Sequence, residues 1–115
     1  MTAGADPGGS PTTVGVHDEP GRHRYVLAED GVVVGFLDYR IADGVIDLVH
    51  TEVAPDHGGR GLAARLVRYA LDDARRRALA VVPHCPFARR FIDDHPDDHL
   101  DLVPSDRRAE LGWER

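Results

Sequence analysis

Apolar and β-branched residues first gather at Arg24–Ala28, RYVLA, and again at Val32–Ile41, a longer β-prone run, with Glu29-Asp30-Gly31 as the turn between them. Asp43-Gly44 is a tight hairpin signal, and Val45–Val53 supplies a third strand. Three strands on short turns predict an antiparallel meander. From Gly61 to about Arg77 the period changes. Leu62, Leu66, Ala70 and Ala74 recur every four residues beside Ala63, Val67 and Leu71. Arg65, Arg68, Asp72, Asp73, Arg75 and Arg76 fall mainly off that stripe, and Asp72 stands four residues before Arg76 as a supporting pair. This spacing predicts an amphipathic helix. Leu79–Val82 then reads as a short strand ended by Pro83, and Phe87–Asp94 as a shorter helix with Pro86 at its first position. Leu100–Val103 reads as a last edge strand, and SDRRAELGWER after Pro104 as a charged tail or short surface helix. A strand, helix and strand in this order imply a right-handed crossover that adds a parallel strand. The expected class is α/β, an α+β mixed sheet.

Length and composition narrow this to one domain, since the chain has 115 residues. Residues 1–16, rich in Gly, Pro, Ser and Thr, bury too little to offset ordering entropy and read as a disordered tail. The domain is expected over 17–104, with 105–115 as a charged C-terminal tail. No cationic stretch followed by an apolar core marks a leader, and no apolar run is long enough to span a bilayer, so the expected place is the cytoplasm. One cysteine excludes an intramolecular disulfide. A formal charge of −6 argues against a nucleic-acid partner. All fourteen basic residues are Arg, which excludes a Schiff-base lysine and a Walker A loop.

The chemistry concentrates in His50–Ala64, HTEVAPDHGGRGLAA, where a β-branched run meets a glycine-rich turn and then a helix. Such a turn offers unpaired backbone N–H groups and the positive end of the helix dipole, a cradle for a pyrophosphate. Gly59-Arg60-Gly61-Leu62-Ala63-Ala64 matches G-x-G-x-x-A, the dinucleotide-binding pattern. That reading is opposed by the meander before it, by the short chain and by VVPHCPF, which has no acidic residue to hold a ribose.

A fuller match covers strand, turn and helix together. Gly58-Gly59-Arg60-Gly61-Leu62-Ala63 resembles the acetyl-CoA motif Q/R-x-x-G-x-G/A of the GNAT acetyltransferases, with Gly58 in place of the first Gln or Arg. VVGFLDYR, HTEV, GRGLAARLVRYALDDARRR, VVPHCPFARRFIDDHP and DLV, in this order, resemble the small, stand-alone, YjdJ-like group of that superfamily over residues 20–104. The resemblance implies a minimal GNAT fold. It implies acetyl-CoA as cosubstrate, its pyrophosphate on backbone N–H groups of Gly58, Gly59, Arg60, Gly61, Leu62 and Ala63. The pantetheine arm would pair with the strand end at Glu52-Val53, the CPF cysteine Cys85 would lie beside the acetyl thioester, and Phe87 would be among the cofactor-binding residues.

Cys85, the only thiol, follows a strand end and precedes Pro86, so it can cap the short helix and gain from its dipole. Two roles stay open for it: covalent acetyl carrier, or proton handler and packing group for direct transfer. His50 and Glu52, two apart on a strand, share a face and are candidate proton handlers for an attacking amine. One thiol and scattered histidines (His84, His95, His99) do not make paired metal-ligand clusters, so no metal is expected. The acidic stretch Asp93–His99 is a solvated loop whose charge would attract a cationic acceptor. The expected function is acetyl-CoA-dependent N-acetyltransfer to an unidentified primary amine; the alternative is a non-catalytic acyl-CoA-binding or sensing module.

Overall fold

In the computed structural model, the structure describes residues 13–57 and 61–110. Five strands form one sheet in chain order: β1 (Val14–Glu19), β2 (Arg24–Glu29), β3 (Val32–Ala42), β4 (Val45–Val53) and β5 (Ala80–Pro83). The first four pair antiparallel and β5 lies parallel to β4. Helix α1 (Leu62–Arg76) makes the crossover; α2 (Pro86–Asp94), α3 (Pro96–His99) and α4 (Ser105–Glu110) follow. No helix among the described residues is long and apolar enough to cross a membrane.

The β2–β3–β4 meander, the crossover helix and the parallel strand are those the pattern predicts; β1 is a further strand that it does not, and Asp93–His99, read as a solvated loop, holds the end of α2 and the short helix α3. Two boundaries also differ. Residues 14–16, assigned to the tail, open β1: Val14 and Val16 pair with Glu29 and Leu27 and pack against the core, so the neighbouring strand supplies the partner that composition alone does not show. Residues 1–12 of that tail lie outside the described residues. Leu100–Val103 is not a strand. Leu100–Leu102 is a 3-10 turn, closed by Val103 N–H donating to Leu100 O at 3.0 Å. Arg75 holds Asp101 outward through two bonds of 3.0 and 3.1 Å, while Leu100, Leu102 and Val103 turn inward. Residues 105–110 are the short surface helix; 111–115 lie outside the described residues.

Tyr25, Leu27, Leu37, Tyr39, Ile46 and Leu48 form the inner face of the sheet and meet Leu62, Leu66, Val67, Ala70, Leu71 and Ala74 of α1. Ala88, Phe91 and Ile92 of α2 complete this core. Each fully buried large side chain contributes about 1.5–3 kcal/mol. Two β-bulges interrupt the ladder. Val34 is the extra residue where Leu27↔Gly35 is followed by Ala28↔Val33. Val49 is the extra residue where Asp38↔His50 is followed by Tyr39↔Leu48.

Asp73 departs from its expected place on the polar side of α1. It is buried, and Arg76 pairs with it rather than with Asp72. Tyr25 OH donates to Asp73 at 2.7 Å and Arg77 to the same carboxylate at 3.1 Å. Tyr39 OH donates to Asp18 at 2.6 Å, and the Arg77 guanidinium lies 3.7 Å from Asp18. The two phenol rings touch, with centroids 4.8 Å apart. Desolvation and the hydrogen bonds to carboxylates raise both phenol pKa values well above the ordinary range. Burial alone would raise the Asp73 pKa, but the donors from Tyr25, Arg76 and Arg77 outweigh it and hold the carboxyl below its ordinary value. The network ties the C-terminal end of α1 to β1, β2 and β3.

Asp73→Asn should lower stability by about 2 kcal/mol, or roughly 10 °C in midpoint, by removing the carboxylate that Arg76 and Arg77 share and leaving Arg77 only the more distant Asp18. A depressed folded pKa stabilises above the unfolded value of 3.8 and ceases to do so as pH falls through the folded value. Thermal melts should therefore show a gap between wild type and variant that is constant near neutrality and closes in acid.

Candidate active site

β4 runs nine residues, but β5 accompanies only its first four, from Val45↔Ala80 to Leu48↔Pro83. One further bond, Cys85 N–H to Leu48 O at 2.8 Å, closes the parallel ladder. Beyond it the Val49 bulge twists β4 away. Residues 49–53 have no strand on the β5 side among the described residues. An extended amide-bearing ligand can lie along such an edge as an added strand.

The bulge also resets which side chains face inward. Thr51 pairs with the buried Leu37 and turns to Cys85, whose Sγ donates to Thr51 Oγ1 at 3.2 Å. Cys85 is 3% exposed and is the N-cap of α2, as its place before Pro86 predicts. Its thiol does not bond the first-turn N–H groups; it crosses to Thr51 instead. His50 and Glu52 share the outward face as expected, with the ring Nε2 3.1 Å from Oε1. Their side chains are 56% and 63% exposed.

At the other end of the gap, Gly61 begins α1 with φ 74°, a left-handed conformation that glycine adopts without strain. The first N–H groups of α1 carry the helix's positive end. Leu62 is buried in the core, so it can offer a ligand only its backbone; Ala63 and Val53 are half-buried. Gly58, Gly59 and Arg60 lie outside the described residues. Phe87 is 44% exposed and opens on a cleft of about 480 Å³ between α1 and α2.

The family follows from a direct comparison: a sequence model of the GCN5-related N-acetyl-transferases matches residues 24–102. The chain belongs to that family. Protein NATD1 of Bos taurus is 35% identical over 52 residues, 45% of this chain and 46% of the relative, so this GNAT chain spans less than half the length of that curated protein. A GCN5-like protein of Staphylococcus aureus has a TM-score of 0.60 at 21% identity over 78% of this chain and 87% of its own. The ribosomal-protein-alanine N-acetyltransferase of Brucella melitensis biovar Abortus 2308 gives 0.54 at 23% identity over 62% and 58%. These two likenesses are of fold. They agree with the mixed five-stranded sheet and crossover helix described above.

Several residues around the candidate site escape sequence reasoning. Thr51 sits in an unremarkable TEV run, and only the bulge brings it to the thiol. On the outward face, the Arg24 guanidinium lies 4.1 Å above the Phe36 ring while its Nε donates to Asp38 at 2.9 Å. Phe36 in turn approaches His50, with centroids 6.0 Å apart. These partners come from three strands, so no local motif announces them. Of the histidines, His84 lies 3.7 Å from Asp47 and His95 Nδ1 is 3.0 Å from Phe91 O. Burial lowers the His99 pKa. No group of three or more metal-ligand side chains converges among the described residues.

Gly35 is the close-approach position beneath the end of β4. A Cβ there would stand 2.9 Å from Glu52 O and 3.2 Å from Val53 Cγ2. Gly35→Ala should therefore displace the Glu52-Val53 end and cost about 1–3 kcal/mol in a denaturant titration. Gly15→Ala, where a Cβ meets nothing within 4 Å, should change stability little and serves as the control.

Proposed function

We propose that this protein transfers the acetyl group of acetyl-CoA to a primary amine. The observation that carries this reading is the parting of β4 from β5 past Leu48–Pro83, flanked by Cys85 and Thr51 on the inner face and by His50 and Glu52 on the outer. Acetyl-CoA fits that gap by chemistry. Its pantetheine amides match the uncovered β4 edge at Glu52-Val53, and its pyrophosphate suits the Gly58–Ala63 turn at the positive end of α1. The chain's share of catalysis is then mainly positioning of thioester and amine. Backbone N–H groups at the split polarise the thioester carbonyl.

The amine nitrogen attacks the carbonyl carbon, a C–N bond forms, the C–S bond breaks and CoA leaves as thiolate. Glu52, directly or through a water, takes the ammonium proton, and His50 at 3.1 Å shares or relays it. A thiol 3% exposed and bonded to Thr51 favours direct transfer, with Cys85 as a wall of the thioester pocket rather than as carrier. One observation favours a second reading, an acyl-CoA-binding module. Both His50 and Glu52 are more than half exposed, so neither is held rigidly for proton transfer.

Intact mass after incubation with acetyl-CoA separates these mechanisms. Direct transfer predicts no covalent adduct and turnover with some member of an amine panel. An adduct lost in Cys85→Ala and on hydroxylamine treatment would make Cys85 a covalent carrier. Binding with no transfer or hydrolysis would leave the module. Ala63→Asp should abolish acetyl-CoA binding in calorimetry by repulsion and crowding at the cradle; unchanged affinity would sink the pyrophosphate placement.

A further inference from the structure

The outer face of the sheet carries a groove that neither the core nor the transfer step uses. Its volume, about 550 Å³, lies in the roughly 300–1,000 Å³ range of small-molecule sites. Arg22, His23, Arg24, Asp38, Arg40 and Val49 line it. Its near end abuts the candidate proton handlers: Asp38 is the cross-strand partner of His50, and Val49 precedes His50 in the chain. Its far end is Arg40, two residues beyond Asp38 on the same face, about 7 Å along the strand. The whole chain carries a charge of −6, yet the lining holds three guanidinium groups against one carboxylate. Arg24 is committed to Asp38 at 2.9 Å, and Arg22 stands 3.8 Å from Glu19. Arg40 is exposed and forms no ion pair among the described residues. Its cross-strand partner, Asp47, has its carboxylate 3.7 Å from His84 instead, on the β5 side.

We infer that the acceptor is a primary amine that also carries a carboxylate: its nitrogen meets Glu52 and His50, its methylene chain crosses Val49, and its carboxylate pairs with Arg40. The inference rests on the acetyltransfer reading and adds to it the class of acceptor. The two ends of such a molecule match the two ends of the groove in charge. A guanidinium offers a carboxylate two parallel N–H donors. Glu52 lies opposite Phe36, so the span from Glu52 to Arg40 is four residues, about 13 Å, which the side chains at both ends shorten. That span suits an amine and a carboxylate separated by several methylene groups, not an α-amino acid. A diamine of the same length would bring its second ammonium against Arg40. The carboxylate takes no part in the transfer: the C–N bond forms, the C–S bond breaks, and the acid leaves unchanged on the acetamide product. The acidic stretch expected to draw a cationic acceptor belongs to α2 and α3, and α2 packs against the inner face of the sheet instead.

The test measures kcat/KM by CoA thiol release on the full chain, with acetyl-CoA and three series of acceptors. These are unbranched ω-amino carboxylates, alkylamines and α,ω-diamines, matched in length at about four to eight carbons to suit the span. Wild type should prefer the best amino carboxylate over its matched alkylamine by about tenfold, with the diamine poorest, and less so at high salt. Arg40→Gln should bring amino carboxylate and alkylamine within about twofold of each other. Arg40→Glu should reverse the order and favour the diamine, which a loss of structure would not do. Equal kcat/KM for matched amino carboxylate and alkylamine in wild type would overturn the inference and leave acetyltransfer standing. A preference lost in Arg22→Gln but kept in Arg40→Gln would overturn it by placing the anion on the Glu19 side of Arg24. Turnover of none of the three series, with acetyl-CoA still bound in calorimetry, would overturn the inference alone. The same result without acetyl-CoA binding would overturn the reading beneath it as well.

Discussion

β4 must satisfy two partners that ask different things of it. Along β3 it pairs for its full length, from Ala42↔Val45 to Gly35↔Val53; along β5 it pairs for four residues only. Hydrogen bonding on one side and release on the other are reconciled by one extra residue, Val49. Were Val49 paired regularly instead of bulged, the side-chain alternation set by Ile46 and Leu48 would run on unchanged, and Thr51 would turn outward while His50 and Glu52 pointed into the core. A bulge thus settles strand separation and side-chain direction together. His50, Thr51 and Glu52 all take their facing from it.

The gap has a second wall, and α1 carries it. The helix start must stay in register with the end of β4. The fixed point is at the opposite end of the helix, where Asp73 accepts from Tyr25, Arg76 and Arg77. An acidic side chain near a helix C-terminus is unfavourable to the dipole by itself. Here Arg75, Arg76 and Arg77 crowd the same turn and reverse that balance. Because Arg77 also approaches Asp18, the same cluster fastens β1, whose opening residues look like tail by composition.

How much of this was legible depended on how local each signal was. The α1 stripe and the Asp43-Gly44 turn are periodic or two-residue signals, and they placed three strands and the main helix within about a residue. Cys85 at the start of α2 and the shared face of His50 and Glu52 were also readable, since Pro86 and simple alternation carry them. Alternation gave the right face there because both residues lie beyond the bulge. What failed was long-range. Asp73 reads as surface until Tyr25, 48 residues away, is known to donate to it. LDLV has strand alternation, but the Arg75–Asp101 bonds and the burial of Leu100 and Val103 favour a turn. Thr51, Arg24 and Phe36 have neighbours only across strands, where sequence distance conceals contact.

The cation above Phe36 is an arginine, and so is every other basic side chain of the protein. A guanidinium stays protonated throughout the pH range in which the fold survives, so it has no lone pair to offer an electrophile. A thioester seated beside β4 would therefore have in Arg24 a neighbouring positive charge that stacks but does not react. A lysine at Arg24, so near the outward pair of His50 and Glu52, would be a resident amine in competition with any visitor. The arginine-only surface makes the protein chemically deaf, through its side-chain amines, to the group it is proposed to hand on.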